Sequence, residues 1–162
     1  MTKIHIRPAR EEDAETIVAI LAGLALEIGD EGFFRSDADA IRRHGFGSSP
    51  LFRCLVAEGG GETLGLTLYY PVFSTTRGQP GVYVQDLWVS EGARKLGLGR
   101  RLLAETAAQA ATEWSASYMA LTVYADNPGA TEFYRRQGFA TGERERFMAL
   151  DEVMFRALRG KA

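Results

Sequence analysis

The chain has 162 residues, of which 46% are hydrophobic and 25% are charged, and its formal net charge is −2. These values are ordinary for a globular protein, and we expect a single domain over residues 1–162. A nearly neutral chain has no basic field that would recruit nucleic acid. The single cysteine, Cys54, excludes an internal disulfide framework. Because no leader pattern and no apolar run of membrane length occur, we expect no membrane partner and a reducing cytoplasm.

The first half of the chain predicts helices enclosed by strands. A short strand over 4–7 precedes an amphipathic helix over 11–26, and a second short helix is predicted over 37–44. Strands follow over 52–58 and 63–73, and the three consecutive glycines between them are a hairpin-turn signal. This half therefore predicts antiparallel sheet with helices inserted after the first strand.

The second half predicts strands that alternate with helices. Its predicted elements are, in order, a polar loop over 74–80, a strand over 82–89, a helix over 98–114, a strand over 118–124, a helix over 128–137, strands over 139–141 and 146–150, and a helix over 152–159. Asp126 or Asn127 is expected to cap the helix over 128–137 and Gly138 to end it, and Asp151 is expected to cap the last helix. The long helix is expected to bury Leu102, Leu103, Ala107, Ala110, Ala111 and Trp114. An antiparallel meander followed by alternating strands and helices predicts a mixed α/β fold rather than a regular doubly wound one.

The junction between the strand over 82–89 and the long helix carries the clearest chemical signal. It reads Arg94-Lys95-Leu96-Gly97-Leu98-Gly99-Arg100. Glycines at a helix start gather free backbone N–H groups at the positive end of the helix dipole, which favours phosphate binding. The spacing lacks the lysine and serine of a P-loop and the third glycine of a dinucleotide-binding loop. A flexible helix entry with no ligand is the alternative.

The pattern Arg-x-x-Gly-x-Gly after a strand resembles the acyl-CoA pyrophosphate loop of the GNAT superfamily of N-acetyltransferases. Further phrases resemble its diamine branch, which includes the spermidine/spermine and thialysine acetyltransferases. These phrases are IRPA at 6–9, HGFG at 44–47, CLVAE at 54–58, YY at 69–70, NP at 127–128 and FYRRQGF at 133–139. The resemblance implies the GNAT fold, with antiparallel N-terminal strands followed by βαβα, and it implies acetyl-CoA as cosubstrate, no metal and a homodimer.

The resemblance also implies which residues contact acetyl-CoA. Backbone groups in the strand would pair with the pantetheine arm, loop amides would hold the pyrophosphate, and the start of the next helix would line the thiol end. The implied set is Leu87, Trp88, Val89, Arg94, Lys95, Leu96, Gly97, Leu98, Gly99, Arg100, Asn127, Pro128, Gly129 and Ala130.

Three residues are candidates for the chemistry. The resemblance makes Tyr134 the acid that protonates the departing CoA thiolate. The diamine enzymes carry a glutamate, usually assigned as the base, where this chain has Gln85, and an amide cannot accept a proton at neutral pH. Asp86 is the next carboxylate, but in a regular strand it faces away from Gln85 unless a bulge intervenes. Pairing of Asp86 with an arginine, proton loss through water and a less basic amine remain open.

Acidic residues after the first predicted helix are candidates for binding the amine. Glu27, Asp30 and Glu31 would suit a polyamine or a lysine-like cation, and a solvated charged loop is the alternative. Glu143 and Glu145 lie near the second substrate region of the similar enzymes.

The leading hypothesis is therefore an N-acetyltransferase that moves the acetyl group of acetyl-CoA to a primary amine of a small molecule by direct attack. The amine would be a diamine, a polyamine or lysine-like. The alternatives are a catalytically weak CoA-binding sensor or partner module, which Gln85 favours, and a protein or peptide N-acetyltransferase.

Overall fold

The structure is a computed structural model that describes residues 3–142 and 146–160. In these ranges the strands are β1 (His5–Pro8), β2 (Arg53–Gly59), β3 (Glu62–Ser74), β4 (Gln79–Val89) and β5 (Met119–Leu121). The helices are α1 (Ala14–Ile28), α2 (Ala38–Gly45), α3 (Leu98–Trp114), α4 (Pro128–Arg136) and α5 (Glu152–Arg159), with 3-10 turns at Glu11–Asp13 and Glu91–Ala93. The chain divides into two compact units, Met1–Thr122 and Val123–Ala162.

The first unit is built on one sheet with the strand order β1-β2-β3-β4-β5. The first four strands are antiparallel neighbours, and β5 joins β4 in parallel after the crossover through α3. The predicted mixed α/β class is confirmed. No helix in the described ranges combines the length and the apolar character that crossing a bilayer requires.

Glycine places the predicted hairpin between β2 and β3. Gly60 and Gly61 have φ values of 65° and 82°, a region that side chains with a Cβ rarely occupy. The next hairpin is tighter than predicted, since β3 runs to Ser74 and β4 already starts at Gln79. Backbone pairing between Ser74 and Gln79 extends both strands into the segment predicted as a polar loop.

Helix α3 covers one face of the sheet. It begins and ends at the predicted residues, and its buried side chains are Leu98, Leu102, Leu103, Thr106 and Ala110. A Cβ on Gly65 of β3 would lie 2.9 Å from Leu102 Cδ1, so the helix approaches the strand closely at that point. The prediction of Ala107 and Ala111 as buried is wrong, because the helical repeat that begins at Leu98 turns Thr106 inward instead.

Helices α1 and α2 cover the opposite face. Their buried side chains pack on the even-numbered residues of β2 and β3, in a cluster of Ala14, Ile17, Leu21, Ile41, Cys54, Val56, Leu66 and Leu68. Side chains alternate across a strand, so odd-numbered residues of β3 face α3. The contact of 3.5 Å between Thr67 Oγ1 and Thr106 Oγ1 agrees with that assignment.

The second unit contains two capped helices. Asn127 Oδ1 accepts from the Ala130 amide at 3.0 Å at the start of α4, and Asp151 Oδ1 accepts from the Met154 amide at 2.8 Å at the start of α5. Both predicted caps are confirmed. Gly138, with φ of 96°, follows the end of α4 as predicted.

The predicted closing strands over 139–141 and 146–150 are wrong, because those residues are not in strands. A strand needs a partner for its N–H and C=O groups, and neither segment pairs with any strand in the described ranges. Glu143 and Glu145 lie outside the described residues.

Candidate active site

A β-bulge interrupts the pairing of β3 with β4. Leu68 pairs with Asp86 and Tyr69 pairs with Val84, so Gln85 has no partner of its own across β3. One extra residue in one strand resets the alternation of side chains beyond it. The regular alternation that would separate Gln85 from Asp86 therefore does not apply here.

The bulge turns both side chains toward the α1 face of the sheet. Asp86 stands opposite Leu68, which belongs to the cluster under α1 and α2. Gln85 accepts a hydrogen bond at its Oε1 from the hydroxyl of Tyr70, at 3.3 Å. Tyr70 is an even-numbered residue of β3, and its ring stacks on Tyr83 at 5.2 Å, so these side chains share the face. An amide and a carboxylate thus lie side by side.

Asp86 is a desolvated carboxylate. Burial raises its pKa to about 6, because removal from water disfavours the charged form. In residues 3–142 and 146–160 Asp86 forms no ion pair and no side-chain hydrogen bond, so the arginine pairing considered from the sequence is not found there. A buried carboxylate with a raised pKa and no cationic partner is typical of a functional site.

Beyond the bulge, β4 has an open edge. Its pairing with β5 runs from Val82 opposite Met119 to Val84 opposite Leu121 and ends there. From Asp86 to Val89 the strand pairs with β3 on one side and with no strand in the described ranges on the other. The predicted cofactor contacts Leu87, Trp88 and Val89 lie in this stretch, where peptide groups can receive an extended chain that carries amides.

The loop after β4 ends in an uncapped helix N-terminus. Lys95 and Gly97 adopt left-handed φ values of 66° and 76°, and Gly97 precedes α3 with no side-chain cap and no acidic residue in the first turn. The first backbone bond of the helix runs from the Arg101 amide to Gly97 O at 3.1 Å.

The amides before that bond have no acceptor within residues 3–142 and 146–160. They belong to Leu98, Gly99 and Arg100. Free amides at the positive end of a helix dipole form an anion site, which is what the predicted contact with a phosphate group requires. The side chains of Leu96 and Arg100 are both exposed.

Arg94, which is a predicted contact of acetyl-CoA, forms an ion pair with Glu27, which is a predicted contact of the amine. Its guanidinium lies 3.0 Å from Glu27 Oε2 and donates through Nε to Val89 O at 3.1 Å. Arg94 therefore ties the loop to the end of β4 and to α1, and it partly neutralises Glu27. Asp30 lies in the turn after α1, where its carbonyl accepts from the Phe33 amide at 2.9 Å, and Glu31 is exposed.

Tyr134 lies on α4 of the second unit. Its ring meets Phe133 and Phe139 edge to face, at 5.1 Å and 5.5 Å between centroids. Its carbonyl accepts from the Phe139 amide at 3.1 Å. Pro128 and Gly129 form the first turn of the same helix, after the Asn127 cap. The phenol is thus held by neighbours on both sides in the sequence.

Cys54 has no part in this arrangement. Burial raises the pKa of its thiol to about 12, so the nucleophilic thiolate is scarcely populated at neutral pH. The contact of Tyr70 with Gln85 and the stacking of Tyr70 on Tyr83 were not predicted from the sequence. Both depend on the register of β3 against β4, which the sequence phrases do not reveal.

Comparison with known proteins identifies the family. The model of the acetyltransferase (GNAT) family matches residues 19–139. The chain belongs to the GNAT family. GNAT acetyltransferases use acetyl-CoA, and the chain is accordingly an acetyl-transferring enzyme with the predicted GNAT fold.

Among relatives of this GNAT chain, thialysine N-epsilon-acetyltransferase of Mus musculus is 32% identical over 146 residues, which are 85% of each chain. The enzyme of the same name from Sus scrofa is 30% identical over 148 residues, again 85% of each. An integron cassette protein from the mobile metagenome of V. cholerae has the same fold, with a TM-score of 0.78 at 22% identity over 98% of both chains.

Proposed function

We propose that this GNAT enzyme transfers the acetyl group of acetyl-CoA to a primary amine of a small molecule by direct attack. The observation that carries the proposal is the bulge at Gln85. It brings Asp86 to the face where Gln85 projects, beside the open edge of β4. A base is needed there, because alkylamines arrive protonated and must lose a proton before they can attack.

The acetyl-CoA contacts follow the open donors of β4 and α3. Peptide groups of Leu87, Trp88 and Val89 would pair with the pantetheine amides, and the amides from Lys95 to Arg100 would hold the diphosphate. Arg94 would add charge while it remains tied to Val89 O. The start of α4, at Asn127, Pro128, Gly129 and Ala130, would line the thiol end.

Asp86 is the proposed base. Proton transfer from an alkylammonium, with a pKa of ~10, to a carboxylate whose pKa is about 6 is uphill by roughly 5 kcal/mol. An aspartate with the usual pKa would make that step uphill by roughly 8 kcal/mol. Burial of Asp86 therefore contributes about 3 kcal/mol to a step that precedes attack.

Acetyl-CoA supplies the activated acetyl group as its thioester. The freed amine nitrogen forms the amide bond with the acetyl carbon, the carbon–sulfur bond breaks, and Tyr134 donates its phenolic proton to the departing thiolate. The nitrogen loses its second proton as the amide forms, and this proton restores the phenol of Tyr134. The proton held by Asp86 returns to solvent, so one proton is released per turnover. Glu27, Asp30 and Glu31 would attract the cationic amine, although Arg94 reduces the share of Glu27.

A screen of amines tests the proposal. Polyamines, lysine, thialysine and aminoglycosides are each incubated with acetyl-CoA, thiol release is followed, and the product mass is checked for one added acetyl group. We expect turnover on at least one amine. Calorimetry with CoA separates the second candidate, a CoA-binding sensor, which Gln85 favours. Binding without turnover on any amine would support the sensor and refute the enzyme.

The enzyme is proposed to act as a homodimer, as one domain over its full length. Exposed apolar side chains of α5, which are Val153, Met154, Phe155 and Leu158, are the kind of surface that a second chain covers. Light scattering at micromolar concentration tests the dimer, and a monomer would refute it. The cytoplasm remains the proposed compartment, since the chain has one free cysteine.

A further inference from the structure

We infer that Tyr70 holds Gln85 as a hydrogen-bond donor to the substrate and thereby selects amines that carry an oxygen acceptor near the reacting nitrogen. Amino alcohols, amino acids and amino sugars share that chemistry, and polymethylene polyamines lack it. This inference rests on the proposed function and concerns the same site.

Tyr70 is itself held in place. Its ring stacks on Tyr83 at 5.2 Å with planes 27° apart, and the Tyr83 hydroxyl is 2.6 Å from Thr122 Oγ1. Burial raises the pKa of Tyr70, and electrostatic interaction with Tyr83 and with the Asp86 carboxylate raises it further. The phenol therefore stays protonated and remains a donor at neutral pH.

The hydrogen bond from Tyr70 engages the oxygen of the Gln85 amide and leaves the amide nitrogen open. Oε1 accepts from the Tyr70 hydroxyl, and the Nε2 group forms no hydrogen bond within residues 3–142 and 146–160. An amide nitrogen donates and does not accept. The open end of Gln85 therefore offers N–H groups to whatever lies in front of it.

Two adjacent groups on one face then have opposite preferences. Asp86 accepts N–H groups of the amine, whereas Gln85 donates and requires a partner with a lone pair. The nitrogen lone pair is used in the attack, so Gln85 needs another acceptor on the substrate. An ether, hydroxyl or carboxylate oxygen close to the amine fills that need, and a methylene leaves the amide without a partner.

A matched pair of amines tests this selection. n-Butylamine and 2-methoxyethylamine have equal length and differ by one methylene exchanged for an ether oxygen. The ratio of kcat/KM for the ether amine to that for the alkyl amine is measured in the wild type and in three variants. The basicities of the two amines differ, and this difference cancels between the wild type and the tyrosine variants, which keep the same proposed base. For Gln85→Glu the ratio is compared with the wild type across a pH series, because a new base would change the pH dependence of the ratio, whereas a lost hydrogen bond would lower the ratio at every pH.

The three variants separate the effect of the Gln85 donor from that of the Tyr70 hydroxyl that positions it. Gln85→Glu replaces the donor with an acceptor-only carboxylate, and we expect the ratio to fall about tenfold. Tyr70→Phe frees the amide to rotate, and we expect a fall of roughly threefold. Tyr83→Phe keeps the stacked ring and removes a hydroxyl that does not contact Gln85, so the ratio should stay within about twofold of the wild type.

The possible failures are distinguishable. An unchanged ratio in Gln85→Glu, with both amines acetylated, would overturn the inference and leave the proposed function standing. A fall in Gln85→Glu without one in Tyr70→Phe would overturn the positioning role, as would equal falls in Tyr70→Phe and Tyr83→Phe. If the wild type acetylates no amine in the pair or in the wider screen, the proposed function fails and this inference fails with it.

Discussion

Replacement of Asp86 by asparagine should stabilise the fold while it impairs the reaction. The folded-state pKa of about 6 lies above the ordinary aspartate value of 3.8, so the folded protein binds more protons than the unfolded one between those values. Ionisation of Asp86 therefore destabilises the fold above pH ~6 by about 3 kcal/mol, and this penalty disappears as the pH falls below ~4.

Denaturant unfolding measured across a series of pH values gives the comparison. Asp86→Asn removes the charge, so near pH 8 we expect its free energy of unfolding to exceed that of the wild type by up to about 3 kcal/mol. The gain should shrink as the pH is lowered through ~6 and vanish near ~4, where the wild-type carboxyl is also neutral. Other acidic groups are common to both proteins and cancel in the difference.

A matched control is Asp126→Asn, which makes the same change on an exposed side chain that forms no ion pair within residues 3–142 and 146–160. We expect its free energy of unfolding to change by less than about 0.5 kcal/mol over the same pH range. A gain for Asp86→Asn that does not vary with pH, or no gain at all, would refute the assignment of Asp86 as a desolvated carboxylate.

Three further predictions concern the reaction and the cofactor. In the wild type, kcat/KM should rise through an apparent pKa of about 6, and Asp86→Asn should lose that limb of the pH profile. Tyr134→Phe should lower turnover by about tenfold or more while calorimetry shows unchanged acetyl-CoA affinity, and unchanged turnover would remove the phenol from the mechanism. Gly97→Ala should weaken CoA binding by about fivefold, because alanine resists a φ of 76°, whereas Gly92→Ala, with open space and no positive φ, should bind normally.

The local parts of the fold could be predicted from the sequence. The bounds of α3 and the caps at Asn127 and Asp151 depend on side chains within a few residues of the feature, and these predictions are confirmed. The closing strands were wrong because alternation of apolar residues does not supply a partner strand. Thr106 was missed because a polar side chain is seldom fully buried, and the partner of its hydroxyl, Thr67, lies 39 positions away in the chain.

The β-bulge at Gln85, on which the candidate site depends, also results from contacts between residues that are distant in the sequence. The sequence predicted that Gln85 cannot be a base and that Asp86 would face away, unless a bulge occurred. The bulge is set by the way that β3 pairs with β4, with Tyr69 against Val84 and Leu68 against Asp86. No residue type near Gln85 predicts this register of β3 against β4. The residues proposed for phosphate binding could be named from the sequence because such a site depends on the backbone of one short segment, and this assignment stays a prediction.

The bulge has a consequence for how relatives of this chain are compared. When two consecutive side chains lie on the same face, the carboxylate that acts as base can stand at either position, and a substitution can move it from one to the other without any movement of the main chain. Loss of the acidic residue from one aligned column would then be a poor criterion for an inactive homologue. The alignment column next to it should be inspected as well, because a substrate contacts the side chains of both positions.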